Sequence, residues 1–147
     1  MYTFIVNPHS RSGLGESIWQ NIEKELKHLG IKYEVFFTKP HRRTSVLIRK
    51  LTSDKAEHTI VILGGDGTVN EVINGISYPE KVTLGYIPTG SGNDFSRSYS
   101  FPSDPMKALD IVLSARRIQK LDLGELSYKD KNRRFAVSSG FGFDAAI

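Results

Sequence analysis

The chain has 147 residues, 39% hydrophobic and 24% charged, which suits one packed domain and leaves little room for a second. It contains no cysteine, which excludes disulfides, thiolate nucleophiles and sulfur-ligated zinc. Lys plus Arg number 20 against 16 Asp plus Glu, and the resulting net charge of +4 leans toward anionic partners without naming one. The longest aliphatic run, Ile60–Leu63, falls far short of the roughly 20 apolar residues of a membrane-spanning helix. The N-terminus lacks the basic-then-apolar order of a secretory signal, so a cytoplasmic location is expected.

In chain order, Tyr2–Val6 is a β-branched and aromatic run ending at Asn7-Pro8, and it predicts a buried strand entering a turn. Leu14, Ile18, Ile22, Leu26 and Leu29 recur every three or four positions and Gly30 follows, which predicts an amphipathic helix over 14–29 with a C-terminal glycine. Tyr33–Phe37 predicts a second strand, Ser45–Leu51 a helix with Arg49 and Lys50 outward, and Thr59–Leu63 a third strand covered on both faces. Val69, Val72, Ile73 and Ile76 mark another helix, and Val82–Ile87 a strand stopped by Pro88. Asp104-Pro105 predicts an N-cap and first turn of a helix to about Ser114. Ile118–Tyr128 and Arg134–Ser138 then read as strands joined by the polar turn Lys129–Asn132. The fold expected is α/β: a Rossmann-like, doubly wound, mostly parallel sheet with helices on both faces. Residues 1–115 form its core, and antiparallel late strands over 116–147 lead toward a further β-rich domain. The last stretch, Gly140–Ile147, is apolar and stops without a cap, as a chain cut inside an element would.

Three glycine-bearing loops follow predicted strands: Asn7–Gly15, Gly64–Thr68 and Thr89–Asn93. In open parallel sheets ligands bind outside the carboxyl ends of the strands, and glycine lets backbone N–H groups approach an anion at a helix start. A polyphosphate is the natural guest. The first loop lacks the Gly-Lys-Ser/Thr ending of a P-loop and the third glycine of a dinucleotide fingerprint, so alone it reads first as a serine-rich turn into a helix. Asp66, flanked by glycines, can position a metal-bound triphosphate, take a proton from a hydroxyl, or simply support a turn. Thr68-x-x-Glu71 matches a helix capping box, and Ser91-x-x-Asp94 fits capping as well as a ligand contact. None of the four histidines pairs with another at metal-ligand spacing, so no metal site is assigned. His41-Arg42-Arg43, Arg116-Arg117 and the 129–134 turn read as solvated basic faces. Basic residues are not interleaved with aromatics, which argues against nucleic acid. Trp19 and Tyr33–Phe37 read as core.

The run Ile62–Gly75, ILGGDGTVNEVING, resembles the signature of the diacylglycerol kinase catalytic domain, shared by bacterial diacylglycerol kinases, related lipid kinases and sphingosine kinases. Pro88–Arg97, PTGSGNDFSR, resembles that family's later glycine-rich motif, and Phe4–Gly15, FIVNPHSRSGLG, its first phosphate loop. The resemblance implies phosphorylation of a lipid hydroxyl by ATP with Mg²⁺, diacylglycerol going to phosphatidic acid. Asn7, Pro8, His9, Ser10 and Arg11 would line the phosphates, and Thr38 would touch the nucleotide. Gly65, Asp66, Gly67, Thr68, Val69, Asn70 and Glu71 would wrap it, and Ser91 would stand for the usual threonine. Asp66 would lie nearest the reacting phosphate as base or metal orienter. The lipid, further magnesium-linked acids and a catalytic carboxylate would belong to a second domain beyond this chain. A fragment of this kind is expected to bind ATP weakly and turn over nothing. A peripheral contact with the inner membrane face would follow from a lipid substrate. Two other readings stay open: a kinase of a soluble acceptor in the manner of NAD kinases, which share the GGDG core, and a non-catalytic nucleotide-binding module.

Overall fold

A computed structural model describes residues 1–89, 104–114, 122–128 and 131–137. Its elements are β1 (Tyr2–Val6), α1 (Ser10–Leu29), β2 (Tyr33–Phe37), α2 (Thr44–Thr52), β3 (His58–Gly64) and α3 (Asp66–Gly75). A 3₁₀ turn at Pro79–Lys81 leads to β4 (Val82–Pro88), and α4 (Pro105–Ser114), β5 (Asp122–Tyr128) and β6 (Lys131–Val137) follow. The first four strands make one sheet in the order β2-β1-β3-β4, every pairing parallel, with Val6 level with Phe37 and Leu63, and Gly64 level with Pro88.

The strands read as continuous apolar runs because successive side chains go to opposite faces and both faces are covered. Phe4, Val6, Val61, Leu63 and Ile87 meet Trp19, Ile22 and Leu26 of α1 and Ala108 and Leu109 of α4. Ile5, Ile60, Ile62, Leu84 and Tyr86 meet Ile48 of α2 and Val69, Val72 and Ile73 of α3. Handedness dictates this partition. The step from β1 to β2 runs one way along the sheet and the steps from β2 to β3 and β3 to β4 run the other, so right-handed crossovers put α1 on one face and α2 and α3 on the opposite one. Helices α2 and α3 are themselves in close contact. A Cβ added at Gly75 would collide with the Ser45 carbonyl and sit 2.7 Å from Ile48 Cβ.

Several expected boundaries move. Helix α1 begins at Ser10 rather than Leu14, so the first loop is only residues 7–9 and Gly13 and Gly15 lie within the helix. The periodic leucines mark only the buried stripe, and the polar first turn carries no such signal. Gly30 does close α1, with a left-handed φ of 69°. Asp104 accepts the Met106 N–H at 3.2 Å at the start of α4, as the Asp-Pro pair predicts. Phe37, counted with the core, is 44% exposed, since it ends an edge strand. The late strands are antiparallel as expected, but β6 starts at Lys131, inside the residues read as turn. The expectations for 115–121, 129–130 and 138–147 lie outside the described residues.

Replacing Gly75 by Ala forces α2 and α3 apart. An expected loss of about 1–3 kcal/mol is read as a lowered urea midpoint at unchanged slope.

Candidate functional site

The parallel register sets the carboxyl ends of all four strands along one rim. The first residue beyond each of three strands extends the ladder by one bond: Asn7 N–H to Leu63 O at 2.9 Å, Thr38 N–H to Val6 O at 2.8 Å, and Thr89 N–H to Gly64 O at 3.2 Å. Neighbouring strands β1 and β3 then send their helices to opposite faces, and the loops part to leave a crevice between them.

The first loop is stiffened from within. Asn7 Oδ1 accepts the His9 N–H at 3.1 Å, and the Ser10 hydroxyl donates to Asn7 O at 3.1 Å. Ser10 Oγ also lies 2.6 Å from Thr89 Oγ1, which joins the loops after β1 and β4 across 79 residues of chain. Gly15 serves packing: an added Cβ would press on Asn7 O and lie 2.5 Å from Ser10 Oγ.

The loop after β3 behaves differently. Gly65 accepts the Thr68 and Val69 N–H groups at 3.1 and 3.2 Å, and Asp66 opens α3 without a side-chain cap before it. Neither Gly65 nor Gly67 has a positive φ, and a Cβ at either would meet nothing within 4 Å. The fold therefore does not ask for glycine at these two positions, and they leave open space beside the helix start. Beneath them Tyr86, fully buried, donates its hydroxyl to Gly64 O at 3.0 Å. Burial, and after it the nearby Asp66 carboxylate, hold the Tyr86 phenol well above its ordinary value, so it stays a donor at any working pH.

The capping-box reading of Thr68 and Glu71 fails. The Glu71 carboxylate instead accepts the Ser45 N–H at 3.3 Å, at the start of α2. Thr68 is buried, and a turn-local pattern could not anticipate that a second helix start lies within reach of Glu71.

A cleft of about 630 Å³ runs along the rim. Of the predicted residues it gathers Asn7, His9, Thr38, Gly67, Thr68 and Glu71. Pro8, Ser10, Gly65, Asp66, Val69 and Asn70 do not line it. Val69 is buried in the core, and Ser10 spends its hydroxyl on the two loops. Arg11 falls in the first turn of α1, and Ser91 lies outside the described residues. The cleft also takes in Lys39 of the β2–α2 loop and, beside it, His41, Arg42 and Arg43, which read from sequence as a solvated face. The available signal was position: this basic run directly follows Thr38 at the end of a strand. Among the described residues no cluster of three or more His, Asp or Glu is placed to hold a metal ion, and no helix is long and apolar enough to cross a membrane.

A parallel α/β sheet whose loops part at the carboxyl rim is an architecture that takes ligands in the crevice outside the strand ends. The model of the diacylglycerol kinase catalytic domain matches residues 1–126, and the chain belongs to that family. It is 33% identical over 140 residues to a diacylglycerol kinase of Staphylococcus saprophyticus, covering 94% of this chain and 43% of that protein. With a diacylglycerol kinase of Staphylococcus carnosus the identity is 29% over 139 residues, covering 94% and 43%. A crystal structure of a Bacillus anthracis diacylglycerol kinase shares the fold, with a TM-score of 0.66 at 24% identity over 89% of this chain and 47% of that one. The chain spans less than half the length of these relatives.

Tyr86→Phe removes one of the two bonds to Gly64 O. A cost of about 1 kcal/mol is expected in chemical denaturation, with the fold and its circular dichroism retained.

Proposed function

We propose that the rim cleft binds ATP with Mg²⁺ and that this chain is the nucleotide-binding part of a lipid kinase that phosphorylates diacylglycerol. The observation that carries the reading is Gly67 on the wall of the cleft, with Gly65 just before the head of the same helix. Neither backbone conformation nor packing requires glycine there, and together they clear the start of α3 for a bulky anion. Family membership adds the reaction class, and the diacylglycerol kinase relatives suggest the acceptor.

In the reaction proposed, the acceptor hydroxyl oxygen forms a bond to the γ-phosphorus. The bond from that phosphorus to the β,γ-bridging oxygen breaks, ADP leaves with that electron pair, and the hydroxyl proton passes to a base. Such transfers rest on positioning and charge neutralisation rather than on covalent chemistry by the protein. Asn7 and His9, with the Gly65–Gly67 backbone, hold the phosphates, and Thr38 meets the nucleotide from β2. Asp66 sits at the head of α3, where a carboxylate can take the hydroxyl proton or orient the metal. Mg²⁺ would supply neutralisation of charge on the β- and γ-phosphates. The lipid pocket and further acids belong, on this reading, to the part of the longer relatives that this chain does not match.

Calorimetry with Mg·ATP tests the site, and absence of binding up to millimolar ligand sinks it. Gly67→Ala separates ligand from fold. It is expected to leave stability unchanged or raise it by up to about 1 kcal/mol, while weakening Mg·ATP binding several-fold or more. Equal affinity in that variant removes the central argument. For the acceptor, assayed with the full-length kinase that includes the second domain, radiolabel from ATP is expected in diacylglycerol presented in mixed micelles and not in NAD. The reverse pattern favours the soluble-acceptor kinase.

A further inference from the structure

The β2–α2 loop brings Lys39, Arg42 and Arg43 to the cleft, and nothing above gives them a task. All three are exposed, and among the described residues none forms an ion pair. Three like charges within five residues repel one another and favour an anion as neighbour, so a loop of this composition needs a tether to stay beside the cleft.

The tether comes from another helix. Arg43 stands at the N-cap of α2 and supplies no side-chain cap. Glu71, one turn into α3, supplies it instead by accepting the Ser45 N–H. A carboxylate is favoured there both by the hydrogen bond and by the positive end of the helix. The close approach of Gly75 to Ser45 and Ile48 keeps the two helices in that arrangement. Glu71 thus joins the cationic loop to the element that opens with Asp66.

We propose, building on the nucleotide reading above, that Lys39, Arg42 and Arg43 form a cationic wall of the site facing the phosphates. Glu71 is the positioning residue that holds this wall by capping α2.

The test titrates the full chain with Mg·ATP and with adenosine. The variants are Arg42→Ala/Arg43→Ala, Glu71→Ala, Glu71→Gln, and Glu71→Ala in the double-arginine background. The arginine pair, on an exposed loop, is expected to lose roughly tenfold in ATP affinity with adenosine affinity unchanged. Glu71→Ala is expected to show the same ATP-selective loss. Glu71→Gln, whose amide oxygen still accepts the Ser45 N–H, retains most of the affinity. In the double-arginine background Glu71→Ala adds little, because both changes act through one wall. Equal losses for ATP and adenosine in Glu71→Ala, or full additivity in that background, overturn the positioning role. Unchanged ATP preference in the arginine pair overturns the wall, and this variant decides the matter even if Glu71→Ala does not fold. Failure of the wild-type chain to bind Mg·ATP defeats the nucleotide reading and this inference with it, whereas wild-type binding with any of the other negative results defeats this inference alone.

Discussion

The structure depends on a reversal of direction in one parallel sheet. From β1 the chain steps outward to β2, then returns past β1 to β3 and onward to β4. Because each crossover is right-handed, the reversal sends α1 to one face and α3 to the other while their parent strands remain hydrogen-bonded neighbours. A gap at the rim between the two loops is the geometric result. The cleft exists because strands that are adjacent feed helices that are not.

What borders that gap follows from how each loop satisfies its own backbone. The loop after β1 is closed by Asn7 and Ser10, and Gly15 is filled by the loop folding back on it. The loop after β3 is anchored from below by Tyr86 and leaves its upper surface clear at Gly65 and Gly67. Gly15 and Gly64 serve the fold whereas Gly65 and Gly67 leave open space, a difference no composition count reveals. Charge follows the same division. Asp66 and Glu71 stand on α3, and Glu71 shares the cleft with the cations of the β2–α2 loop. A phosphate chain with its counter-ion is complementary to such a pairing of acids and bases.

Much of the fold was legible because its signals are local. Aliphatic runs such as Ile60–Leu63 announce strands buried on both faces, and Asp104-Pro105 announces a helix start that Met106 and Ala108 complete. The errors share one cause. The first turn of α1 has no buried stripe, so Ser10–Gly13 read as loop. The capping-box alternative for Thr68 and Glu71 stays open in the sequence because a four-residue pattern cannot register a second helix lying alongside. The basic run after Thr38 read as a solvated face because exposure and cleft lining are compatible in three dimensions and indistinguishable in one.

The amino-acid order alone determined which segments are strands and helices, that the sheet is parallel and covered on both faces, and which three loops carry glycine. Each of these rests on periodicity and steric preference within a few residues. Only the tertiary structure decided that Ser10 reaches Thr89, that Glu71 caps α2, that Tyr86 supports Gly64, and that Lys39, Arg42 and Arg43 share a cleft with Asn7 and Gly67. These pairings join residues tens of positions apart, and they form only when the direction of the crossovers has set which loops become neighbours.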